Sequence, residues 1–200
     1  MRLRTTAILA TAAAAMSVVL LAGCGGSASE ASPSTATSTA VARQAAPLAA
    51  SRPACVPNCA NADLRSVTLS GSDLVRADFS GADLSDAEIY PGPFLFRTNF
   101  TGANLSGARV IEGEFQMVNF EGANLTGVTF GRMNGIGANF TDANLTDAMF
   151  IRVLASQVNF TGANLTGARI RDTTFGRSTF SNTTCPDGTV TNTGCWPRGR

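Results

Sequence analysis

The side chains that could do chemistry in this sequence are five cysteines and scattered carboxylates, because the chain has neither histidine nor lysine. All fifteen basic residues are therefore arginines, which excludes Schiff-base chemistry and histidine-based triads or metal sites. Asp142 with Asp147, and Glu112 with Glu114, are acid pairs that could serve general acid–base catalysis. No nucleophile with a neighbouring base and no phosphate-binding loop accompanies them. We therefore predict no catalytic residue, no cofactor and no metal.

Cys24 has the most specific sequence context of the five cysteines. A short basic stretch opens the chain, an apolar run follows over residues 7–21, and Leu-Ala-Gly precedes the cysteine. The run is too short to span a membrane and polar sequence follows it, which is typical of an export signal. Leu-Ala-Gly-Cys resembles the bacterial lipobox, which implies a lipid on the Cys24 sulfur and removal of residues 1–23. An ordinary signal peptide with an incidental cysteine is the alternative.

Residues 24–54 form the next distinct segment. They are rich in alanine, serine, threonine and proline and carry only three charges. Such a segment cannot bury enough apolar surface to offset its conformational entropy, so we predict a disordered tether. Several acyl chains on Cys24 would hold the protein on a membrane. We expect an exported protein on the outer face of the plasma membrane.

Residues 61–183 carry an apolar residue at every fifth position, inside a twenty-residue superperiod. Neither a helix nor an ordinary strand gives a period of five. Strict self-similarity of this kind is typical of stacked repeats. With one inserted residue near Leu95, the central positions are Leu64, Leu69, Leu74, Phe79, Leu84, Ile89, Phe94, Phe100, Leu105, Val110, Phe115, Phe120, Leu125, Phe130, Gly135, Phe140, Leu145, Phe150, Ala155, Phe160, Leu165, Ile170, Phe175 and Phe180.

A three-residue phrase, Ala-(Asp/Asn)-Leu, recurs on this lattice. Close copies are Ala82-Asp83-Leu84, Ala103-Asn104-Leu105, Ala123-Asn124-Leu125, Ala143-Asn144-Leu145 and Ala163-Asn164-Leu165. The phrase resembles the consensus of the pentapeptide-repeat family, and the resemblance covers residues 61–183. It implies an all-β, right-handed quadrilateral β-solenoid in which four pentapeptides form the four sides of a coil. The twenty-residue superperiod independently requires four sides. Five to six coils at the strand spacing would give a rod about 27 Å long.

In such a coil the central residue and the small residue two places before it point inward. Gly135 and Ala155 are too small for the central position, but Met133 and Val153, two places earlier, are large. Close packing requires that volume lost at one inward site be restored at its neighbour. We therefore predict that Met133 and Val153 are buried.

Outward polar residues are predicted to stack into columns along the axis, because equivalent positions of successive coils lie over one another. Asparagines stacked in this way hydrogen-bond to each other. The acid pairs would then stand on convex corners and sides, as solvated groups outside any cleft. One predicted column contains Asp63, Asp83, Asn104, Asn124, Asn144 and Asn164. A second contains Asp78, Asn99, Asn119, Asn139 and Asn159, and a third, charged column contains Glu112, Arg132, Arg152 and Asp172.

The other four cysteines flank the repeats, in a predicted N-terminal cap over residues 55–60 and a C-terminal cap and tail over residues 184–200. Cysteines in an exported chain imply disulfides, and three pairings are possible. A disulfide needs Cα atoms within about 7 Å, while the rod separates its ends by far more. The local pairs Cys55–Cys59 and Cys185–Cys195 are therefore predicted. A redox-active Cys-X-X-X-Cys is the alternative.

Three further features lie near the ends and at the one irregularity of the repeat. Asp187-Gly188 predicts a hairpin turn, and Trp196 is predicted to cover the final coil. Tyr90-Pro-Gly-Pro and the insertion near Leu95 predict a bulge or short loop that exposes Tyr90 or Phe96. An exposed aromatic there is a candidate contact point, and the alternative is a tolerated insertion.

The sequence favours a non-catalytic, lipid-anchored protein that acts as a binding or structural module at the cell surface. Its predicted partners are the membrane, through Cys24, and an unidentified protein, with no nucleic acid and no small-molecule substrate. The family resemblance implies a second hypothesis, because some members mimic duplex DNA and inhibit a topoisomerase. The export signal and the asparagines along the columns argue against it. Residues 61–183 also hold nine arginines against twelve acids.

Overall fold

The computed structural model of the protein describes residues 53–71 and 74–195, and all structural statements below refer to these residues. The predictions for the export signal, Cys24 and Trp196 concern positions outside these ranges, as does nearly all of the predicted tether. In the described part of the chain, no helix is long and apolar enough to span a membrane.

Short strands on two sides of each coil make up most of the regular structure. In chain order they are β1 (Thr68–Ser70), β2 (Glu88–Tyr90), β3 (Gly92–Phe96), β4 (Arg109–Gln116), β5 (Thr129–Ile136), β6 (Met149–Ile151), β7 (Leu154–Ser156), β8 (Arg169–Arg171), β9 (Thr174–Gly176), β10 (Thr183–Thr184) and β11 (Val190–Thr191). The first nine form one sheet of parallel pairs, and the last two form an antiparallel hairpin. In most of the parallel pairs, residues twenty apart are partners, such as Phe130 with Phe150, and pairs that span the inserted residue are twenty-one apart, such as Glu88 with Arg109.

The remaining two sides are columns of single β-bridges. One column runs through Asn119 and Asn139, and the other runs through Asn124 and Asn144, again twenty residues apart. The fold is therefore a β-solenoid of about five turns with four sides, as predicted, and the two polar columns are confirmed.

We name the four sides by what they carry. The first ladder face contains the column of Asn119, and the second ladder face contains the column of Asn124. The stripe face contains β1, β2, β6, β8 and the first halves of β4 and β5. The groove face contains β3, β7, β9 and the second halves of β4 and β5. Because β4 and β5 each run around a corner, the stripe and groove faces are adjacent, as are the two ladder faces.

Each corner is made by one residue in the left-handed region of backbone space. In a single coil these residues are Gly102, Gly107, Glu112 and Met117, with φ values of 64°, 70°, 61° and 52°. Residues other than glycine are sterically disfavoured in that region, because their Cβ atom approaches the backbone. Fifteen such non-glycine residues nevertheless adopt this conformation, so the coil geometry overrides residue preference. The sequence pattern did not reveal this position, because it is filled by many residue types.

The interior contains one column of side chains behind each face. Phenylalanine rings stack behind the first ladder face. The distance between ring centroids is 5.1 Å for Phe100 and Phe120, and 4.9 Å for Phe120 and Phe140. Phe130, behind the stripe face, meets this stack edge-on, 5.8 Å from Phe120. Such arrangements suit the quadrupole of the ring. Because these two faces lie opposite each other in the coil, the aromatic columns meet across the interior of the solenoid.

Volume exchange between inward positions is confirmed. Met133 and Val153 are both fully buried, at 0% exposure. Gly135 lies against Phe115 of the preceding coil, and a Cβ on that glycine would clash with the ring and the backbone carbonyl oxygen of Phe115. The small central residue thus makes room for its aromatic neighbour, while Met133, two places earlier on the same inward side of the strand, occupies the interior beside it.

One detail of the predicted lattice is wrong. Leu95, which is 1% exposed, pairs with Phe115 and holds the central position that was assigned to Phe94, because the register shifts between Gly92 and Leu95. The extra residue is thus absorbed at the Pro-Gly-Pro segment, before the strand resumes its pairing. The four residues of the predicted charged column do lie at equivalent corners of successive coils.

In that column the Arg132 guanidinium lies 2.7 Å from the Glu112 carboxylate. The described residues contain no ion pair between Arg152 and Asp172. All four side chains are on corners exposed to water, where an isolated pair gains little.

Both ends of the repeat carry a disulfide. Cys55 is bonded to Cys59, with Cα atoms 4.9 Å apart, and Cys185 is bonded to Cys195, with Cα atoms 5.2 Å apart. These are the local pairs favoured by the sequence. The C-terminal cap includes the hairpin of β10 and β11, in which the Gly188 amide donates to the Cys185 carbonyl at 2.9 Å. The predicted hairpin turn at Asp187-Gly188 is confirmed.

Candidate functional site

On the two ladder faces, the polar side chains form hydrogen bonds with one another. The Thr141 hydroxyl donates to the Asn139 oxygen at 2.6 Å, and the Asn139 amide nitrogen donates to the Asn119 oxygen of the previous coil at 2.9 Å. The Asn159 amide in turn donates to the Thr141 hydroxyl at 2.9 Å. The second ladder face repeats the pattern around Asn144. These groups satisfy one another, so the ladder faces offer little to a partner.

Both ladders carry aspartate near their N-terminal ends, at Asp78 in the first and at Asp63 and Asp83 in the second. The Ser80 backbone amide holds the pKa of Asp78 below its usual range, and the Ser85 hydroxyl does the same for the pKa of Asp83. Amide groups of the next coil, on Asn99 and Asn104, donate to these carboxylates at 2.9 Å. Hydrogen bonds to a carboxylate favour its charged form.

These depressed pKa values predict a stability that falls in acid. A carboxyl group whose folded-state pKa is lowered contributes stability above its unfolded pKa of about 3.9, and loses that contribution as the pH falls through the folded value. The double variant Asp78→Asn/Asp83→Asn replaces both carboxylates with the amides that later coils carry. We expect its melting temperature to fall less than that of the parent between neutral pH and about pH 3. Equal losses in the two proteins would contradict this assignment.

The stripe face differs from the ladder faces in its outward residues. Ile111, Gly131 and Ile151 follow one another in a column, since Ile111 pairs with Gly131 and Gly131 with Ile151. Tyr90, which is 37% exposed, precedes them, and Arg171 ends the column. An apolar stripe therefore runs along the rod between a tyrosine and an arginine.

The second column of the stripe face shows the same change of character along the rod. It contains Glu88, Arg109, Thr129, Met149 and Arg169, in that order. Glu88 lies toward the N-terminal end of this column and Arg169 at its C-terminal end. The neighbouring column likewise has Tyr90 toward its N-terminal end and Arg171 at its C-terminal end.

The groove face exposes two large apolar side chains to solvent. Ile136 and Leu154, on neighbouring coils, are 51% and 57% exposed, and Met117 on the adjacent corner is 49% exposed. A shallow groove of about 560 Å³ runs over the small residues Gly135 and Ala155. Its other lining residues are Glu114, Gln116, Asn134, Ser156, Thr174 and Gly176, together with Ile136 and Leu154.

The two contact residues predicted from sequence lie on different faces. Tyr90 ends β2 on the stripe face, where its hydroxyl donates to Glu88 at 3.2 Å. Phe96 ends β3 on the groove face, half-buried, with the Arg97 and Arg76 guanidinium carbons 5.3 and 5.9 Å from its ring centroid. Phe96 is thus partly covered by two arginines, whereas Tyr90 is open to solvent.

Sequence reasoning missed Ile136 and Leu154, because it searched only the insertion. Both occupy outward positions, next to the central residue of their pentapeptide, where the ladder faces carry asparagine, serine or threonine. A large apolar residue at an outward position was the available signal.

The acidic pairs do not converge into a cleft. Asp142 and Asp147 lie on separate corners, exposed, with φ values of 54° and 57°. Glu112 forms an ion pair with Arg132, and Glu114 alone among these four acids lines the groove. Within residues 53–71 and 74–195, no cluster of three or more potential metal ligands is present.

Comparison with protein families gives one match. The family model described as pentapeptide repeats matches in eight copies over residues 58–90, 114–150 and 143–182, which together cover 102 of the 200 residues. Comparison with curated proteins gives no match.

Several solved structures are similar to this chain at low sequence identity. Full-length QnrB1, described as a plasmid-mediated fluoroquinolone resistance protein, is 22% identical over 57% of this chain and 59% of that chain, with a TM-score of 0.41. This chain thus spans less than two thirds of QnrB1. The pentapeptide repeat protein Rfr23 from the cyanobacterium Cyanothece 51142 is 20% identical over 64% of this chain and 90% of that chain, with a TM-score of 0.30.

Proposed function

Since this chain belongs to the pentapeptide-repeat family, we propose that it is a non-catalytic protein-binding module, held on the outer face of the plasma membrane by a lipid on Cys24. The observation that carries the binding role is the difference between the faces. The ladder faces are closed hydrogen-bonded arrays, whereas the groove face exposes Ile136 and Leu154. Exposed apolar side chains grouped on one surface mark sites of protein contact.

The groove suits an extended segment of a partner protein. Its floor is formed by Gly135 and Ala155, and its walls include the apolar side chains of Ile136 and Leu154. Glu114 is the only charged residue in its lining, and the remaining polar residues are neutral. A partner segment with one or two apolar side chains and no net charge would bury the exposed apolar area without stranding an ion.

The proposal is supported at the other end of the chain by the lipobox-like sequence before Cys24. A tether of about thirty residues has an average reach of roughly 30 Å, so the rod would stand near the membrane with its faces accessible. A flexible link of this kind allows the rod to orient toward proteins in the envelope.

Crosslinking on intact cells tests the binding role. The parent chain and the variant Ile136→Glu/Leu154→Glu are treated with an amine- and carboxyl-reactive crosslinker, and attached proteins are identified by mass spectrometry. We expect a defined partner with the parent and at least about a tenfold loss with the variant, because two desolvated charges would oppose burial of the groove.

The matched control is Thr146→Glu/Thr166→Glu, which places two acids on the second ladder face. This control should capture the partner as the parent does, provided that both variants melt cooperatively. Equal capture by the groove variant, or loss in the control alone, would contradict the groove as the binding face. Fractionation of the same cells tests the anchor, since Cys24→Ala should move the chain from the membrane to the soluble fraction.

A DNA-mimicking role that targets a topoisomerase receives no support from the surface. Acidic residues occupy the ladder columns at Asp63, Asp78 and Asp83, and the described coils that follow carry asparagine. Recovery of a topoisomerase subunit in the crosslinking experiment would revive that role.

A further inference from the structure

The outward residues of the stripe face are arranged in a self-complementary order along the rod. Counting from the coil of Thr129 and Gly131, the rows two coils away on either side carry Glu88 with Tyr90, and Arg169 with Arg171. The rows one coil away carry Arg109 with Ile111, and Met149 with Ile151. In the outermost rows, an acidic and an aromatic group thus lie on one side of the centre and two basic groups lie on the other.

We propose that the stripe face binds a second copy of this chain, with the two rods antiparallel. A two-fold axis that lies in the interface along the strand of Thr129 and Gly131 reverses the rod direction and keeps each column opposite itself. Such an isologous contact requires each patch to complement its own rotated image. The rows that meet are Glu88 with Arg169, Tyr90 with Arg171, Arg109 with Met149, Ile111 with Ile151, Thr129 with Thr129 and Gly131 with Gly131.

Each of these meetings is chemically favourable or neutral. Glu88 and Arg169 form an ion pair, Tyr90 accepts the Arg171 guanidinium over its ring, and Ile111 packs on Ile151. Gly131 on the axis has no side chain, so the sheets can approach closely at the centre. The isoleucines on its two sides then contact the partner without a bulky group between them.

The charges also select the direction of pairing. With the rods parallel, a two-fold axis along the rod would place Arg169 opposite Arg171 of the other copy, and Glu88 opposite Tyr90. That arrangement brings like charges together at one end and leaves an acid without a cation at the other. The antiparallel arrangement avoids both.

The interface is small, which sets the conditions in which it forms. The five paired rows extend only about 20 Å along the rod at the strand spacing. A standard interface buries about 800 Å² on each partner, more than this face supplies. The dimer is therefore weak in dilute solution and forms when chains are concentrated, as they are when held on one membrane surface.

Crosslinking with an engineered cysteine tests the dimer in cells that make the full-length chain. In Thr129→Cys the new side chains of two copies face each other across the axis, and because packed sheets are about 10 Å apart, the thiols that project between them are within reach of a short bis-maleimide. The four native cysteines of the caps are bonded and do not react. We expect a product of twice the chain mass, about tenfold more abundant than with Thr146→Cys, which is equally half-buried on the second ladder face.

Charge reversal provides a second readout that a change in folding alone would not produce. Adding Glu88→Arg to Thr129→Cys should reduce the dimer about tenfold, because two ion pairs become two repulsions. Adding Arg169→Glu as well should restore it, since the exchanged charges attract again across the axis. Equal crosslinking of Thr129→Cys and Thr146→Cys, a product of another mass, or failure of the double reversal to restore the dimer would overturn the proposal. These variants leave Ile136 and Leu154 unchanged, so partner capture by the groove is scored separately.

Discussion

Replacement of Leu125 by lysine should prevent the chain from forming a stable solenoid. Leu125 is 0% exposed, in the column behind the second ladder face, and its amide donates to the Asn144 carbonyl at 2.7 Å. A lysine there places an unpaired ammonium among leucines, which costs about 3 to 5 kcal/mol or more. A native domain has only about 5 to 15 kcal/mol of stability in total.

The stacked architecture makes this loss worse than in a globular core, because each coil depends on both of its neighbours. Circular dichroism and thermal melting measure the outcome, and we expect no cooperative transition or a melting temperature far below that of the parent. The matched control is Leu154→Lys, the same change at a leucine that is 57% exposed. If Leu125→Lys melts within a few degrees of Leu154→Lys, the central column is not packed as described.

The second large effect is expected for Phe140→Ala. The Phe140 ring contacts three other phenylalanine rings. The centroid distances are 4.9 Å to Phe120, 5.4 Å to Phe160 and 5.9 Å to Phe130. Removing a buried phenylalanine side chain costs about 3 to 5 kcal/mol, through lost transfer energy and the cavity that remains. Here the cavity would interrupt a continuous stack, so the neighbouring rings cannot close on it without moving their own coils.

Denaturant unfolding of Phe140→Ala and Phe180→Ala gives the comparison. Phe180 belongs to the same column but is only partly buried, near the last coil. We expect Phe180→Ala to lose less than half of the free energy of unfolding that Phe140→Ala loses, because cavity cost rises with burial. Similar losses would show that the stack is not cooperative along the rod.

The overall fold could be predicted from the sequence because one period controlled both packing and backbone. Twenty-residue spacing requires a four-sided coil, and the paired exceptions at Met133 and Gly135 follow from conservation of interior volume. The ladders at Asn119 and Asn124 follow from stacking alone. Each of these features repeats, so many copies support the same inference.

The features that occur once were harder to predict. The position of the inserted residue was wrong, since Phe94 and Leu95 are both apolar and either could fill the inward site. The exposed apolar residues Ile136 and Leu154 of the proposed binding face were missed, because outward positions had not been searched for large apolar residues. Whether an outward apolar residue is covered or exposed depends on the side chains of adjacent coils, and the repeat does not specify these.

The direction of the hydrogen bonds between coils has a mechanical consequence. They run along the rod, as where the Cys59 amide donates to the Asp78 carbonyl and the Asp78 amide donates to the Pro57 carbonyl, both at 2.7 Å. A pull through the N-terminal end would therefore load the bonds of one turn at a time, as in opening a zipper. The Cys55–Cys59 disulfide closes a loop inside the first turn and ties no turn to the next. Under tension the molecule would lengthen stepwise from its N-terminal end, shedding turns while the distal ones stay folded.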